Sequence, residues 1–201
     1  KRRSEHRGGS DSVLRRTTWG NSAAQGMGSR ARIRPELQMR PGWVLCADYY
    51  SAAGQKVKEG KYTIGSFSDE LVDASSRYLK EKVAREGIDC VVPIPSRRHP
   101  RLVPDFAKNL AASLGIPCVE VVQKTCDAAE QKMLLNSAQQ EDNIRNSTAV
   151  TDSWSVRGKS ILLVDDMVDS RWTFTVVAAE LLEAGASSVY PFALVKTGSG
   201  D

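Results

Sequence analysis

Long apolar runs are missing from this sequence. No stretch approaches the roughly 20 consecutive apolar residues that a membrane-spanning helix needs, and the opening KRRSEHRGG is not followed by the apolar core of a secretory signal peptide. We therefore predict no membrane segment and expect a cytoplasmic protein.

Residues typical of metal centres and of ATP hydrolysis are also scarce. The chain has four cysteines, none in a CxxC pair, and two histidines, which favours reduced, buried thiols over a metal site or disulfides. It contains neither a Gly-rich P-loop nor a DEAH-like box. We therefore expect no ATPase or helicase activity within these 201 residues.

Positive charge is concentrated at one end of the chain. The net charge is +4, but residues 1–40 hold ten Lys and Arg against three Asp and Glu, whereas the remainder holds 18 against 21. Residues 1–40 also lack a periodic apolar pattern and are rich in Ser and Gly, so we predict a basic flexible linker there and one domain over 41–201. The linker is either a solvated tether or an arm that contacts DNA phosphates non-specifically.

Beyond residue 41, the patterns of strands and helices alternate. Short apolar runs predict strands over 43–50, 89–95, 116–122, 158–166 and 187–195. Helical spacing of apolar residues predicts helices over 68–86, 103–115 and 173–185, with Ser68 as an N-cap and Gly115 as a stop, and a possible helix over 137–143. This alternation predicts an α/β fold with a parallel sheet covered on both faces.

The stretch ILLVDDMVDSRWT, residues 161–173, indicates a binding site. Asp165 and Asp166 close a predicted strand, and a short loop then leads into a helix. Ligands of open parallel sheets bind beyond the carboxyl ends of the strands. Amide groups at a helix N-terminus attract phosphate, and carboxylates accept hydrogen bonds from vicinal hydroxyls. The pattern predicts a sugar-phosphate site, and a purely structural acidic edge is the alternative.

A response-regulator receiver domain also carries an acidic pair after a strand. Its phospho-accepting Asp lies well downstream, followed by further strand–helix units. Only residues 167–201 follow Asp166, which leaves room for one helix and one strand. The receiver interpretation is therefore rejected.

Several segments, in order, resemble the ComF branch of phosphoribosyltransferase-fold proteins: EGKY, VVPIPSRRHP, FAKNLAASLG, QKMLLNSAQQEDN and LLVDD. The resemblance covers roughly residues 43–196. More narrowly, VPDFAKNLA, QKMLLNSAQQ and LLVDDMVDSRWTFTVVA resemble the C-terminal phosphoribosyltransferase-like domain of long-form bacterial RecQ DNA helicases. This implies a type I phosphoribosyltransferase sheet with a small N-terminal cap or hood, joined in cis to a helicase of DNA repair and recombination.

The resemblance also implies roles for individual residues. In active members the acidic pair contacts the ribose hydroxyls of phosphoribosyl pyrophosphate (PRPP), a TTGxT-type loop holds the 5′-phosphate, and Mg²⁺ is bound to the pyrophosphate and ribose oxygens. Asp165 and Asp166 match the acidic pair, and Thr173 matches the last Thr. The implied ribose-phosphate loop consists of Asp169, Ser170, Arg171, Trp172 and Thr173.

This loop departs from the family pattern. An Arg at 171, where the family has Gly, must strain or reshape the loop, and Asp169 places a negative charge near the phosphate. Arg171 either binds the phosphate itself or forms an ion-paired turn with Asp169 that no longer holds phosphate. Trp172 either stacks on a base or packs on the sheet edge.

The pyrophosphate side of the implied site is the turn PSRRH, residues 95–99. Ser96, Arg97 and Arg98 are the predicted contacts, with a solvated basic turn as the alternative, and His99 is expected at the surface rather than as a general acid. Gln140 stands where the ComF pattern usually has Arg, although Asn143 remains. The lysines of the turn near residue 60, Lys56, Lys58 and Lys61, are expected in solvent rather than at the site.

From these residues we expect a domain that binds PRPP or a related phosphorylated nucleotide or metabolite, and that is weak or inactive as a transferase. One alternative is an active Mg²⁺-dependent phosphoribosyltransferase for a nucleobase, which would displace pyrophosphate at C1 of ribose without a side-chain nucleophile. The other is a DNA- or protein-interaction module without a small-molecule ligand.

Overall fold

The centre of the protein is a parallel sheet. The computed structural model describes residues 12–20, 32–124, 144–145 and 147–197. Four parallel strands lie in the order β2, β7, β6, β3, and the short strand β1 pairs antiparallel with the outer edge of β2. Their bounds are β1 Ser12–Val13, β2 Gly42–Cys46, β3 Cys90–Pro93, β6 Ser160–Val168 and β7 Ser188–Lys196. Two further strands, β4 Val122–Lys124 and β5 Thr148–Val150, form a separate antiparallel pair.

Helices cover both faces of the sheet. They are α1 Ala52–Glu59, α2 Asp69–Glu86, α3 Leu102–Leu114 and α4 Trp172–Glu183, and a π-helical turn, Gly60–Ile64, follows α1. One apolar core holds α2 and α3 against the sheet, and a second core holds α4 against the opposite face. The predicted α/β fold, a parallel sheet flanked by helices, is confirmed.

The local sequence explains where these helices begin and end. Ser68 occupies the N-cap position of α2, as predicted, although its hydroxyl makes no capping hydrogen bond there. Two acids in the first turn of α2 complement the helix dipole. Gly115 ends α3 in the left-handed conformation that favours glycine, with φ of 72°.

The order of the strands creates a topological switch point between β3 and β6. After β3 the chain forms α3 on one face and returns on the far side of β3, where Cys118 makes a parallel bridge to Val91. After β6 it forms α4 on the other face and continues to β7. The connections therefore diverge between β3 and β6. Open α/β sheets bind ligands at such a switch point.

The predicted boundary of order at residue 41 was wrong for part of the amino-terminal region. Val13 and Met39 are buried in the core on the α4 side of the sheet, and Ile33 and Leu37 pack with Ala179 of α4. These apolar residues are too widely spaced to show a periodic pattern, so composition alone places them in the linker. Residues 1–11 and 21–31 of the predicted linker lie outside the described residues.

Two other segments also differ from expectation. The predicted turn after β2 contains α1, whose N-terminus is capped by the Ser51 hydroxyl accepting from the Gly54 amide at 3.1 Å. The predicted strand 116–122 is mostly irregular, and only Val122 of it belongs to β4. The helix predicted over 137–143 lies outside the described residues.

Within the described ranges, no helix combines the length and the apolar character needed to cross a membrane.

Candidate functional site

The acidic pair lies near the carboxyl end of β6. The strand does not end at the pair, as predicted, but continues to Val168, because the ladder with β7 extends to the Val168–Lys196 pair. Successive residues of a strand point to opposite faces, so Asp165 and Asp166 face different sides of the sheet. The two carboxylates consequently contact different neighbouring groups.

Asp166 forms an ion pair with a lysine from the turn after α1. Lys61 Nζ lies 2.8 Å from Asp166 Oδ2, and the two side chains are only 17% and 9% exposed. The expectation that Lys61 is solvated was wrong, because the π-helical turn directs it onto β6. Tyr49 is adjacent: its hydroxyl lies 3.6 Å from the sulfur of Met167, and its pKa is raised by burial, by Tyr62 and by the charge of Asp166.

Asp165 lies on the side of α4. Its Oδ1 accepts a hydrogen bond of 2.8 Å from the Asp166 amide. Burial, followed by the charge of Asp166, raises the pKa of Asp165 well above its usual range, although the amide hydrogen bond and Lys61 act in the opposite direction. The folded protein therefore holds a proton on Asp165 more readily than the unfolded chain does.

The loop after β6 adopts a left-handed backbone conformation that favours glycine, although the residue there is not glycine. Arg171 has φ of 67° and ψ of 0°, and it is the only non-glycine residue with positive φ in the described part of the chain. The loop therefore keeps the left-handed position for which glycine is favoured, at the cost of strain. A pocket of about 150 Å³ is lined by Asp165, Asp166, Met167, Val168, Asp169, Ser170, Arg171, Thr173 and Phe174.

Arg16 contacts both this loop and the helix that follows it. Its Nε and Nη2 donate to the Ser170 carbonyl at 3.0 and 2.5 Å, and its guanidinium carbon lies 4.0 Å from the centre of the Trp172 ring. The Trp172 side chain is 1% exposed. It therefore packs inside the protein and is not positioned to stack on a ligand base, which corrects its assignment as a ligand-binding side chain.

The predicted pyrophosphate side forms a second, larger pocket. It has a volume of about 350 Å³ between the turn after β3 and strand β4, and its lining includes Ser96, Arg97, Arg101 and Lys124. Arg98 is exposed on the same turn and does not line it. Arg101 is paired with Asp105 and Glu120. His99 is half-buried.

Lys124 lines the larger pocket. Burial lowers the pKa of Lys124, while the charges of Asp165 and Glu180 act in the opposite direction and that of Arg97 adds to the lowering. Sequence reasoning missed Lys124, because a single lysine at the end of an irregular run gives no signal. It also missed Arg16, which lay in the predicted linker. Gln140 and Asn143 lie outside the described residues.

A divalent cation has limited support from the protein alone. Among the described residues, no group of three or more His, Cys, Asp or Glu side chains could hold a metal ion. One carboxylate of the pair would nevertheless fit Mg²⁺ that arrives with a ligand, because Mg²⁺ is commonly bound by one or two carboxylates together with substrate phosphates.

Comparisons with known proteins give structural similarity without sequence similarity. No protein-family model matches the chain, and no curated protein matches it. Similar solved structures include adenine phosphoribosyltransferase from Saccharomyces cerevisiae complexed with adenine and an imino-altritol bisphosphate, at 18% identity and a TM-score of 0.48, covering 64% of this chain and 69% of that one. Purine phosphoribosyltransferase from Pyrococcus horikoshii has 18% identity and a TM-score of 0.42, covering 66% and 86%.

Phosphoribosylpyrophosphate synthetase from Mycobacterium smegmatis has 26% identity and a TM-score of 0.43, covering 63% of this chain and only 33% of the synthetase. All three TM-scores are below 0.5, so the fold assignment depends on the strand order and helix placement described above. A parallel sheet flanked by helices is the architecture that the resemblance to type I phosphoribosyltransferases implied.

Proposed function

We propose that this chain binds PRPP or a related ribose 5-phosphate compound in the crevice beyond β6, with little or no transferase activity. In this proposal Asp165 and Asp166 hold the ribose hydroxyls. The loop formed by Asp169, Ser170, Arg171 and Thr173 holds the 5′-phosphate. Ser96 and Arg97 face the pyrophosphate side.

The observation that carries the proposal is the pocket at the end of β6. It combines two carboxylates with a loop whose backbone turns left-handed at Arg171 and then enters α4. Such a loop directs amide groups toward a phosphate at the N-terminus of a helix of 12 residues. The pocket lies at the switch point of the sheet, where ligands of this fold class bind.

Three features argue for weak catalysis or none. Lys61 already occupies one carboxylate of the pair. Asp169 lines the phosphate pocket and repels the phosphate. Arg171 fixes the loop in a strained conformation. Mg²⁺, if bound with PRPP, would be held by the pyrophosphate oxygens and the acidic pair, where it would neutralise the leaving group.

We also propose the wider setting that the sequence resemblance implies. The domain would be attached to a RecQ-type DNA helicase, with the basic amino-terminal region between them, and would link a metabolite signal to DNA repair or recombination in the cytoplasm. The support is the run of ComF-like and RecQ-like segments from EGKY to LLVDD.

Calorimetric titration of PRPP with Mg²⁺ tests the binding function. We expect the wild type to bind and the Asp165→Asn/Asp166→Asn double variant to bind at least about tenfold more weakly, because each lost charged hydrogen bond is worth roughly 1.5–3 kcal/mol. Asp73→Asn, which changes an exposed acid of α2, is the matched control.

Two results would count against this proposal. Absence of heat with millimolar PRPP would show that the crevice does not bind it, and equal binding by the double variant would place the ligand elsewhere. Release of pyrophosphate at an enzymatic rate with a panel of purines and pyrimidines would favour the active transferase instead.

A further inference from the structure

One carboxylate of the acidic pair is held by a lysine of the fold. Lys61 contacts Asp166 directly at 2.8 Å. It comes from the turn after α1, on the side of the sheet where α1, α2 and α3 pack. The pair therefore receives a protein cation at Asp166, from the side of the sheet where α1, α2 and α3 pack.

The backbone around Lys61 is held by a hydrogen bond and by close packing. Its turn is closed by the Gly65 amide donating to the Gly60 carbonyl at 2.8 Å, and Gly65 has φ of 83°. Gly60 is packed so closely that an added Cβ would lie 2.8 Å from the ring of Phe67. The backbone that carries Lys61 is therefore held in place, and π-helical turns of this kind are frequent at functional sites.

A buried carboxylate attracts either a metal ion or a protein cation. The Lys61 ammonium takes one oxygen of Asp166, and it would repel a second cation at the same oxygens. The pocket that the pair lines is also lined by Asp169, Ser170 and Arg171 of the phosphate loop. This combination disfavours a divalent cation at the pair while leaving the phosphate loop accessible.

We propose that Lys61 is a resident counter-ion that takes the place of a divalent cation at Asp166, so that the site binds a ribose 5-phosphate group without a metal. This inference rests on the proposed function for its ligand, and it names the ligand class more narrowly. A single phosphate monoester on ribose is sufficient, as in ribose 5-phosphate or a nucleoside 5′-monophosphate. Mg²⁺ would matter only for a ligand that carries its own pyrophosphate.

The role of Lys61 is tested first without any sugar phosphate, by titrating Mn²⁺ and following the free ion by electron paramagnetic resonance. We expect the wild type to retain no Mn²⁺ at the pair. Lys61→Met should gain at least about tenfold in Mn²⁺ affinity, since the competing buried charge is removed, and an added Asp166→Asn should abolish the gain. Lys61→Arg keeps the charge and should resemble the wild type.

Lys80→Met is the control for this titration, since it removes an exposed lysine of α2. Thermal unfolding of each variant establishes that it is folded. Equal Mn²⁺ affinity in Lys61→Met and the wild type would overturn the counter-ion role. Binding of Mn²⁺ by the wild type that Asp166→Asn removes would overturn it as well.

Ribose 5-phosphate is then titrated into the wild type with Mg²⁺ and with EDTA. We expect affinities that agree within about twofold, and a loss of about tenfold for Lys61→Met in EDTA that Mg²⁺ partly restores. A wild-type affinity that falls tenfold or more in EDTA would overturn metal-free binding. If neither ribose 5-phosphate nor PRPP binds in either medium, the proposed function fails, whereas the Mn²⁺ result still decides the role of Lys61.

Discussion

Arg171 adopts a backbone conformation that usually requires glycine. Left-handed backbone costs a residue with a Cβ roughly 1–2 kcal/mol, yet Arg171 adopts φ of 67° at the start of α4. The Thr175 amide and hydroxyl both donate to the Arg171 carbonyl, at 3.0 and 2.8 Å, which holds the strained residue in place. Strain that persists in this way is found preferentially at functional sites.

This strain predicts an unusual order of stability between two variants. Arg171→Gly should be more stable than Arg171→Ala by about 1 kcal/mol, because both lose the guanidinium and only glycine accepts positive φ without strain. The free energy of unfolding from urea titration measures the difference. At Arg77, within α2, the same pair of substitutions should give the opposite order, since Gly is less favourable than Ala in a helix interior. A more stable alanine variant at 171 would show that the loop has no left-handed residue in solution.

Among the elements, the segment 12–20 contributes directly to the site although the sequence predicted it to be linker. It places β1 on the edge of the sheet and Arg16 behind the phosphate loop. Arg16 contacts both the last loop carbonyl before the strained residue and the first side chain of α4. The loop is therefore fixed by a segment distant from it in sequence.

Loss of Arg16 should loosen the loop. Arg16→Ala is expected to lower the free energy of unfolding by about 1.5–3 kcal/mol, the usual contribution of hydrogen bonds from a charged donor, and to speed amide hydrogen exchange at residues 170–173. Arg15→Ala, an exposed neighbour, is the matched control. Equal exchange rates in the two variants would mean that the contacts of Arg16 do not restrain the loop.

Elements with a strong local signal were predicted from the sequence, and those formed by distant contacts were not. Helix α2, predicted over 68–86, spans Asp69–Glu86, because its N-cap residue, its first-turn acids and its apolar spacing are local signals. β6 is an apolar run, so its position was clear, but its extension to Val168 depends on pairing with β7. β1 has two residues, and only its pairing with β2 makes it a strand.

The same distinction holds for the candidate site. Asp165 and Asp166 were recognised from their position after a strand. Lys61 was expected in solvent, because its ion pair with Asp166 depends on a π-helical turn that the sequence did not indicate. The sequence indicated the two carboxylates that are proposed to hold a ligand, and the fold showed that Lys61 is paired with one of them.

At the scale of the whole molecule, the raised pKa of Asp165 affects stability. A carboxyl group whose pKa is higher in the folded state stabilises the protein while it is protonated, and that contribution is lost as pH rises from the usual aspartate range, about 3.9, through the folded pKa. Asp165→Asn removes this loss, and its side-chain oxygen can still accept from the Asp166 amide.

Asp165→Asn should therefore become more stable relative to the wild type as pH rises above about 4, by roughly 1.4 kcal/mol for each unit of pKa difference. Urea unfolding at a series of pH values measures this. Asp73→Asn should show no such trend, because Asp73 is an exposed residue of α2. Parallel pH profiles for Asp165→Asn and the wild type would show that Asp165 is not perturbed.

The short strand β1 also has a practical consequence. It covers the outer edge of β2 through the Ser12–Trp43 and Val13–Gly42 pairs. A fragment that began at residue 41 would leave that edge uncovered, and a bare edge strand is a template on which a second chain can add its own strand. The boundary suggested by composition would thus yield a protein prone to self-association, and a useful fragment must begin before Ser12.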